Sequence, residues 1–173
     1  MEYLADHLVV RWKVLQNPPV EIAPFRHTGE LTLVNTGAED VQGSDWEIYF
    51  CYVRLMFPDQ LLGAEPGYGH PIGDTNILCY HINGCLHKLK PNSEFSGFNK
   101  DEPIELSFEA SDWSASRTDG MPNWYVTNGN GLQPKTIAST AGEGLAFMAD
   151  FDTESSWKRT GQDQYNPFTP EAR

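Results

Sequence analysis

Between Asp45 and Phe98 the apolar and aromatic side chains recur at every second position, with Trp46, Ile48, Phe50 and Tyr52 on one side and Glu47, Tyr49 and Cys51 on the other. A two-residue period is what a strand with one face in a core requires. The same alternation runs through Leu8, Val10, Trp12 and Val14, with Arg11 and Lys13 opposite, and through Ile104, Leu106 and Phe108, with Glu105, Ser107 and Glu109 opposite. The first of these strands stops at Asn17-Pro18-Pro19, because proline lacks the amide donor a ladder needs. Gly29 to Gly37 reads as the second strand and Asp45 to Met56 as the third. Shorter strands are expected at 94–98, 122–128 and 134–139. Asn83-Gly84 separates two strand-type runs within 77–90 and suits the positive φ angles of a two-residue type I′ turn. That turn sets Ile82 opposite Cys85, His81 opposite Leu86, Tyr80 opposite His87 and Cys79 opposite Lys88. From Phe57 to Asp74 glycine and proline are too frequent for regular structure, so a long loop is expected. The pattern predicts about eight or nine strands in an all-β, two-sheet antiparallel β-sandwich of immunoglobulin-like type.

Composition sharpens this in three ways. A chain of 173 residues with 15 glycines, 12 prolines and 12% aromatics fits one domain over residues 1–173, with 150–173 as a polar peripheral tail. The formal charge of -12 repels nucleic acid and anionic membrane surfaces, which leaves neutral or cationic ligands. No apolar run approaches the roughly 20 residues of a membrane span, and Met1-Glu2-Tyr3 does not begin a signal peptide. Cys51, Cys79 and Cys85 lack the paired spacing of a zinc site and allow one disulfide plus a free thiol. In the hairpin register above Cys79 does not face Cys85, so a Cys51–Cys79 bridge between neighbouring strands is the better candidate. No cofactor is expected.

Four blocks carry a more specific signal: DWEIYF from Asp45, HKLKPNSEFSGF from His87, PNWYVTNGNGLQPK from Pro122, and SWKRTGQDQYNPFTPEAR from Ser156. In order and spacing they resemble the N-terminal domain of bacterial chitobiases and related β-N-acetylhexosaminidases of glycoside hydrolase family 20. The resemblance covers about Asp45 to Arg173 and is weaker before that. It implies a β-sandwich similar in topology to cellulose-binding modules, placed ahead of a catalytic barrel that this chain does not contain. The implied role is non-catalytic and carbohydrate-associated, with chitin or N-acetylglucosamine-containing glycans as partners. The alternative is a structural or interaction domain that packs beside such a barrel or assembles with other protein chains. The implied setting is extracellular, periplasmic or lysosomal, with the signal peptide absent from this chain.

Sugar rings present axial C–H groups that stack on aromatic faces, and hydroxyl pairs that bind carboxylates and guanidinium forks. A binding site is then an accessible aromatic ringed by polar groups. Trp113 fits, flanked by Asp112, Arg117 and Asp119, although it also suits a cap on one end of the core. Trp124 and Tyr125 alternate, so one ring points in and one out, and Trp124 is taken as a sugar contact with Tyr125 inward. Tyr68, beside His70 in the glycine-rich loop, is the last candidate, against self-packing. The expected carbohydrate contacts are thus Trp113, Arg117, Trp124 and Tyr68. Trp12 and Trp46 belong to the core by their alternation, and Trp157 pins the tail. His81 and His87 approach diagonally across the hairpin without metal-ligand spacing. Asp150, Asp152 and Glu154 read as a solvated acidic edge rather than a calcium site. No nucleophile signature, phosphate loop or assignable acid–base pair is present, so catalysis is not expected.

Overall fold

The computed structural model describes residues 2–17, 25–114 and 123–141. In chain order a short helix α1 (Glu2–His7) leads into β1 (Leu8–Gln16), β2 (Arg26–Asn35), β3 (Val41–Gln42) and β4 (Trp46–Cys51). One helical turn, α2 (Pro58–Leu61), precedes β5 (His70–Pro71), β6 (Ile77–Asn83), β7 (Leu86–Pro91) and β8 (Gly97–Phe98). The described chain closes with β9 (Pro103–Ser111), β10 (Tyr125–Asn128), β11 (Lys135–Thr136) and a 3-10 turn at Ala138–Thr140. The strands form a three-stranded sheet ordered β1-β2-β9, a six-stranded sheet ordered β11-β10-β4-β7-β6-β5, and a ribbon of β3 with β8. Every pairing between them is antiparallel. The protein is an all-β antiparallel sandwich.

The alternation of the sequence fills the space between the sheets. Val10, Trp12 and Val14 of β1, Leu106 and Phe108 of β9, and Trp46, Ile48 and Phe50 of β4 are all buried. Burying one such side chain stabilises the fold by roughly 1.5–3 kcal/mol. Tyr52, just beyond β4, joins the layers, with its ring 5.7 Å from Trp12 and 5.9 Å from Phe108. Beside Trp46 lie Phe95 at 5.4 Å and Phe98 at 5.1 Å, which explains why the residues around β8 are aromatic although the strand itself is only two residues long.

Burial also decides the hairpin register, and it differs from the expected one. The loop residues are Gly84 and Cys85, with Asn83 opposite Leu86, and a bulge at Ile82 shifts the rest so that His81 faces His87, Tyr80 faces Lys88 and Cys79 faces Leu89. The expected register would have set inward Cys79 against outward Lys88. The bulge absorbs one residue and matches inward Cys79 to inward Leu89.

The same sheet order removes the expected Cys51–Cys79 bridge. Strand β7 lies between β4 and β6, so the two backbones stand two strand spacings, about 9.5 Å, apart. A disulfide spans at most about 6.8 Å between Cα atoms. All three cysteines are free thiols, and Cys51 shares a hydrogen bond with Cys85, not Cys79. Two helices, α1 and α2, were not expected either. Leu4 and Ala5 of α1 are buried, as is Leu61 of α2. Each helix is too short to show a helical period against its surroundings.

Candidate functional site

A cleft of about 490 Å³ opens where three crossing points of the chain meet, lined by Phe25, Arg54, Asp112 and Trp113. Phe25 precedes β2, Arg54 follows β4, and Asp112 and Trp113 follow β9, so residues far apart in sequence converge at one end of the three-stranded sheet. Phe25 is 43% exposed and meets Trp113 edge to face, with ring centroids 5.4 Å apart at 76°. The Arg54 guanidinium stands 3.7 Å from the Asp112 carboxylate. An apolar pair of rings thus borders a charge pair that presents both donors and acceptors.

The backbone beneath the cleft is tied from several directions. Asp112 sits at φ 57°, a left-handed conformation that aspartate tolerates better than most residues. Its amide donates to the Phe25 carbonyl at 2.9 Å, and the Ser111 amide donates to the Leu55 carbonyl at 2.9 Å. Buried His27 donates from Nδ1 to the Asp112 carbonyl at 2.8 Å, so its Nε2 accepts from the Tyr52 hydroxyl at 2.6 Å. Asn17 and Ser114 exchange two bonds, side chain to carbonyl at 2.9 Å and amide to side chain at 3.0 Å. Trp113 is held between these anchors.

Of the residues the sequence singled out, the structure brings Trp113 and its neighbour Asp112 to this cleft. Arg117 lies outside the described residues, as do Asp119, Trp157 and the 150–173 tail. Tyr68 is exposed in the loop between α2 and β5 and is not among the described residues that line the cleft. Trp124 is a correction: it is only 3% exposed, and its ring lies parallel to Phe50 at 4.0 Å and 7°, so neither sheet face nor cleft offers it to a sugar. Tyr125, expected inward, is the ring that points out, at 42% exposure. A short strand that must place the larger indole in the core sends its neighbour to solvent. Phe25 and Arg54 escaped the sequence reading because each sits alone in a connecting segment, with no local pattern to mark it.

The outer face of the six-stranded sheet carries a second polar cluster. Glu47 is buried and accepts from Tyr49 at 2.8 Å, Lys88 at 3.1 Å and Lys90 at 3.0 Å. Burial would raise its carboxyl, but the bonds from Lys90, Tyr49 and Lys88 outweigh that and leave it below the ordinary carboxylate range. Burial and the Glu47 carboxylate push the Tyr49 phenol up to about 12. Among the described residues no group of His, Cys, Asp and Glu is placed to hold a metal ion, and no helix is long and apolar enough to cross a membrane.

The fold defines an antiparallel β-sandwich domain, and its family is one of carbohydrate-binding domains. A family profile described as "Putative carbohydrate binding domain" matches residues 16–171, and the chain belongs to that family. It is 27% identical over 98% of its length to a protein named "Putative beta-hexosaminidase" from Pinctada maxima, of which it spans 16%. To "N,N'-diacetylchitobiase" from Vibrio harveyi it is 31% identical over 92% of its length, spanning 18% of that enzyme. Among solved structures, the GH20 exo-β-N-acetylglucosaminidase of Vibrio harveyi in complex with N-acetylglucosamine shares the fold at a TM-score of 0.51, with 19% identity, over 80% of this chain and 20% of that one. The chain therefore spans less than a fifth of the curated relatives it matches, and the match falls on a carbohydrate-binding domain, not on a catalytic one.

Proposed function

We propose that this domain binds chitin or other N-acetylglucosamine-containing glycans, and that the Phe25–Trp113 cleft is where a sugar ring docks. The observation that carries this reading is the pairing of two accessible aromatic rings with the Arg54–Asp112 charge pair in one recess. A pyranose stacks its C–H face on the rings while its hydroxyls donate to Asp112 and accept from Arg54. The relatives' names, a β-hexosaminidase and a diacetylchitobiase, support N-acetylglucosamine as the sugar. Titration of chitooligosaccharides followed by tryptophan emission tests it. Trp12, Trp46 and Trp124 are buried and Trp157 lies outside the described residues, so Trp113→Phe identifies the responding ring: on this reading the emission change should vanish in that variant. Trp113→Ala should weaken binding about tenfold. No emission change at millimolar sugar would count against the reading.

A second reading rests on the chain's small share of its relatives' length: the domain packs beside a catalytic barrel without holding sugar itself. Binding of the isolated domain to chitooligosaccharide separates the two.

A further inference from the structure

One line of side chains crosses the six-stranded sheet on its outer face, away from the cleft. Tyr125 of β10 is the register partner of Tyr49 on β4, Tyr49 is the partner of Lys88 on β7, and Lys88 is the partner of Tyr80 on β6. Register partners share a face, so the four form one rung perpendicular to the strands. Three strand spacings separate its ends, about 14 Å. The Lys88 ammonium lies 4.8 Å from the Tyr80 ring centre and 5.8 Å from that of Tyr49, tying the middle of the rung together. Tyr125 stands open to solvent at one end. At the other, Gly69 passes so close to Tyr80 that any β-carbon there would run into the ring, which holds the ring in place. A β-carbon at Gly131 would lie 3.3 Å from the Tyr49 hydroxyl, a tight contact without overlap.

We propose that the Tyr125–Tyr49–Lys88–Tyr80 rung is a second carbohydrate-binding platform, which takes a linear, uncharged glycan laid across the strands. Several features favour that occupant. Tyr125 and Tyr49 stand on neighbouring strands and Tyr80 two strands further on, so three rings lie along one line with Lys88 between the second and the third. The Tyr125 and Tyr80 hydroxyls and the Lys88 ammonium supply donors for ring and hydroxyl oxygens along the same line, while the Tyr49 hydroxyl is given to Glu47 and offers only its ring. Lys88 and Lys90 share the single Glu47 carboxylate, which offsets one of their two charges, and a net charge of -12 over the whole chain repels acidic polymers. A chain several rings long is therefore selected over a single sugar, and a neutral polymer over a charged one. The platform does not depend on the cleft, since the two share no residue.

Chitohexaose and cellohexaose, each titrated into the full chain by calorimetry and by chemical-shift mapping of backbone amides, test the proposal. Amides of β4, β7 and β10 should shift, and Tyr125→Ala should weaken hexasaccharide binding about fivefold to tenfold. Tyr80→Phe, which keeps the ring, should change it less than about twofold, whereas Tyr80→Ala should match Tyr125→Ala. Tyr125 is exposed, so its removal leaves the core intact, and a thermal melt confirms that. If Trp113→Ala removes all hexasaccharide binding and Tyr125→Ala none, the platform is refuted and the cleft stands. The reverse pattern refutes the cleft and leaves the platform. Absence of binding by either hexasaccharide refutes the platform, and a preference between the two identifies which neutral glycan it takes.

Discussion

His87 lies wholly inside the sandwich with both ring nitrogens committed: Nδ1 donates to the Cys85 carbonyl at 3.0 Å, and Nε2 accepts from the Met56 amide at 3.3 Å. Only the neutral imidazole satisfies both. Burial, assisted by His81 and opposed by the bond to Cys85, pushes its pKa down to about 4. An unfolded histidine titrates near 6.5, so between those values the unfolded chain takes up more protons than the folded one. Stability is then full above about pH 6.5 and falls as the pH drops toward 4, by on the order of 3 kcal/mol from this group. His70, lowered by burial, adds to the fall with the same sign. Urea unfolding across that range should show the loss, and an NMR titration of His87 with a midpoint near 6.5 would contradict it. Gly29 is a second single-residue constraint. It pairs with Phe108, whose ring occupies the space a β-carbon would need. Gly29→Ala should therefore destabilise the domain by about 1–3 kcal/mol, read from its denaturation midpoint, although its backbone conformation is open to any residue.

At the scale of elements, alternation along β1, β4 and β9 was sufficient to read their inward faces from the sequence, because each of those strands keeps its period for six residues or more. The hairpin was legible only in part. Asn83-Gly84 announced a turn, but the bulge at Ile82 depends on which faces β6 and β7 must bury together, and that is a tertiary demand. Sheet order was not legible at all: nothing in the sequence puts β7 between β4 and β6, and only that order excludes a Cys51–Cys79 pairing. Cys79 is fully buried, whereas Cys51 and Cys85 are half-buried. A small maleimide should label Cys51 and Cys85 in the native protein and Cys79 only after denaturation. A Cys51–Cys79 cross-linked peptide in a non-reducing digest would contradict the strand order. The cleft was half legible for the same reason: Trp113 and Asp112 sit together in sequence, while Phe25 and Arg54 reach them only through the fold.

For the molecule as a whole, charge and ligand chemistry point the same way. Contacts between aromatic rings and neutral sugars are insensitive to screening, whereas binding of a polyanion to a chain of charge -12 would require high salt. Chitohexaose affinity should change less than about twofold between low and high salt, and the protein should pass unretained through a heparin column. Strong heparin retention would show that the local surface, not the net charge, governs its partners. The anchoring of Asp112 carries one further consequence. With its carbonyl held by His27 and its amide by the Phe25 carbonyl, the recess has its shape before any guest arrives, so docking forfeits little conformational freedom and should proceed without a slow rearrangement phase. On the proposed reading, the grip on a sugar ring is limited by the small number of groups that touch it, so single engagements should be brief and reversible and lasting attachment should need many of them along one polymer.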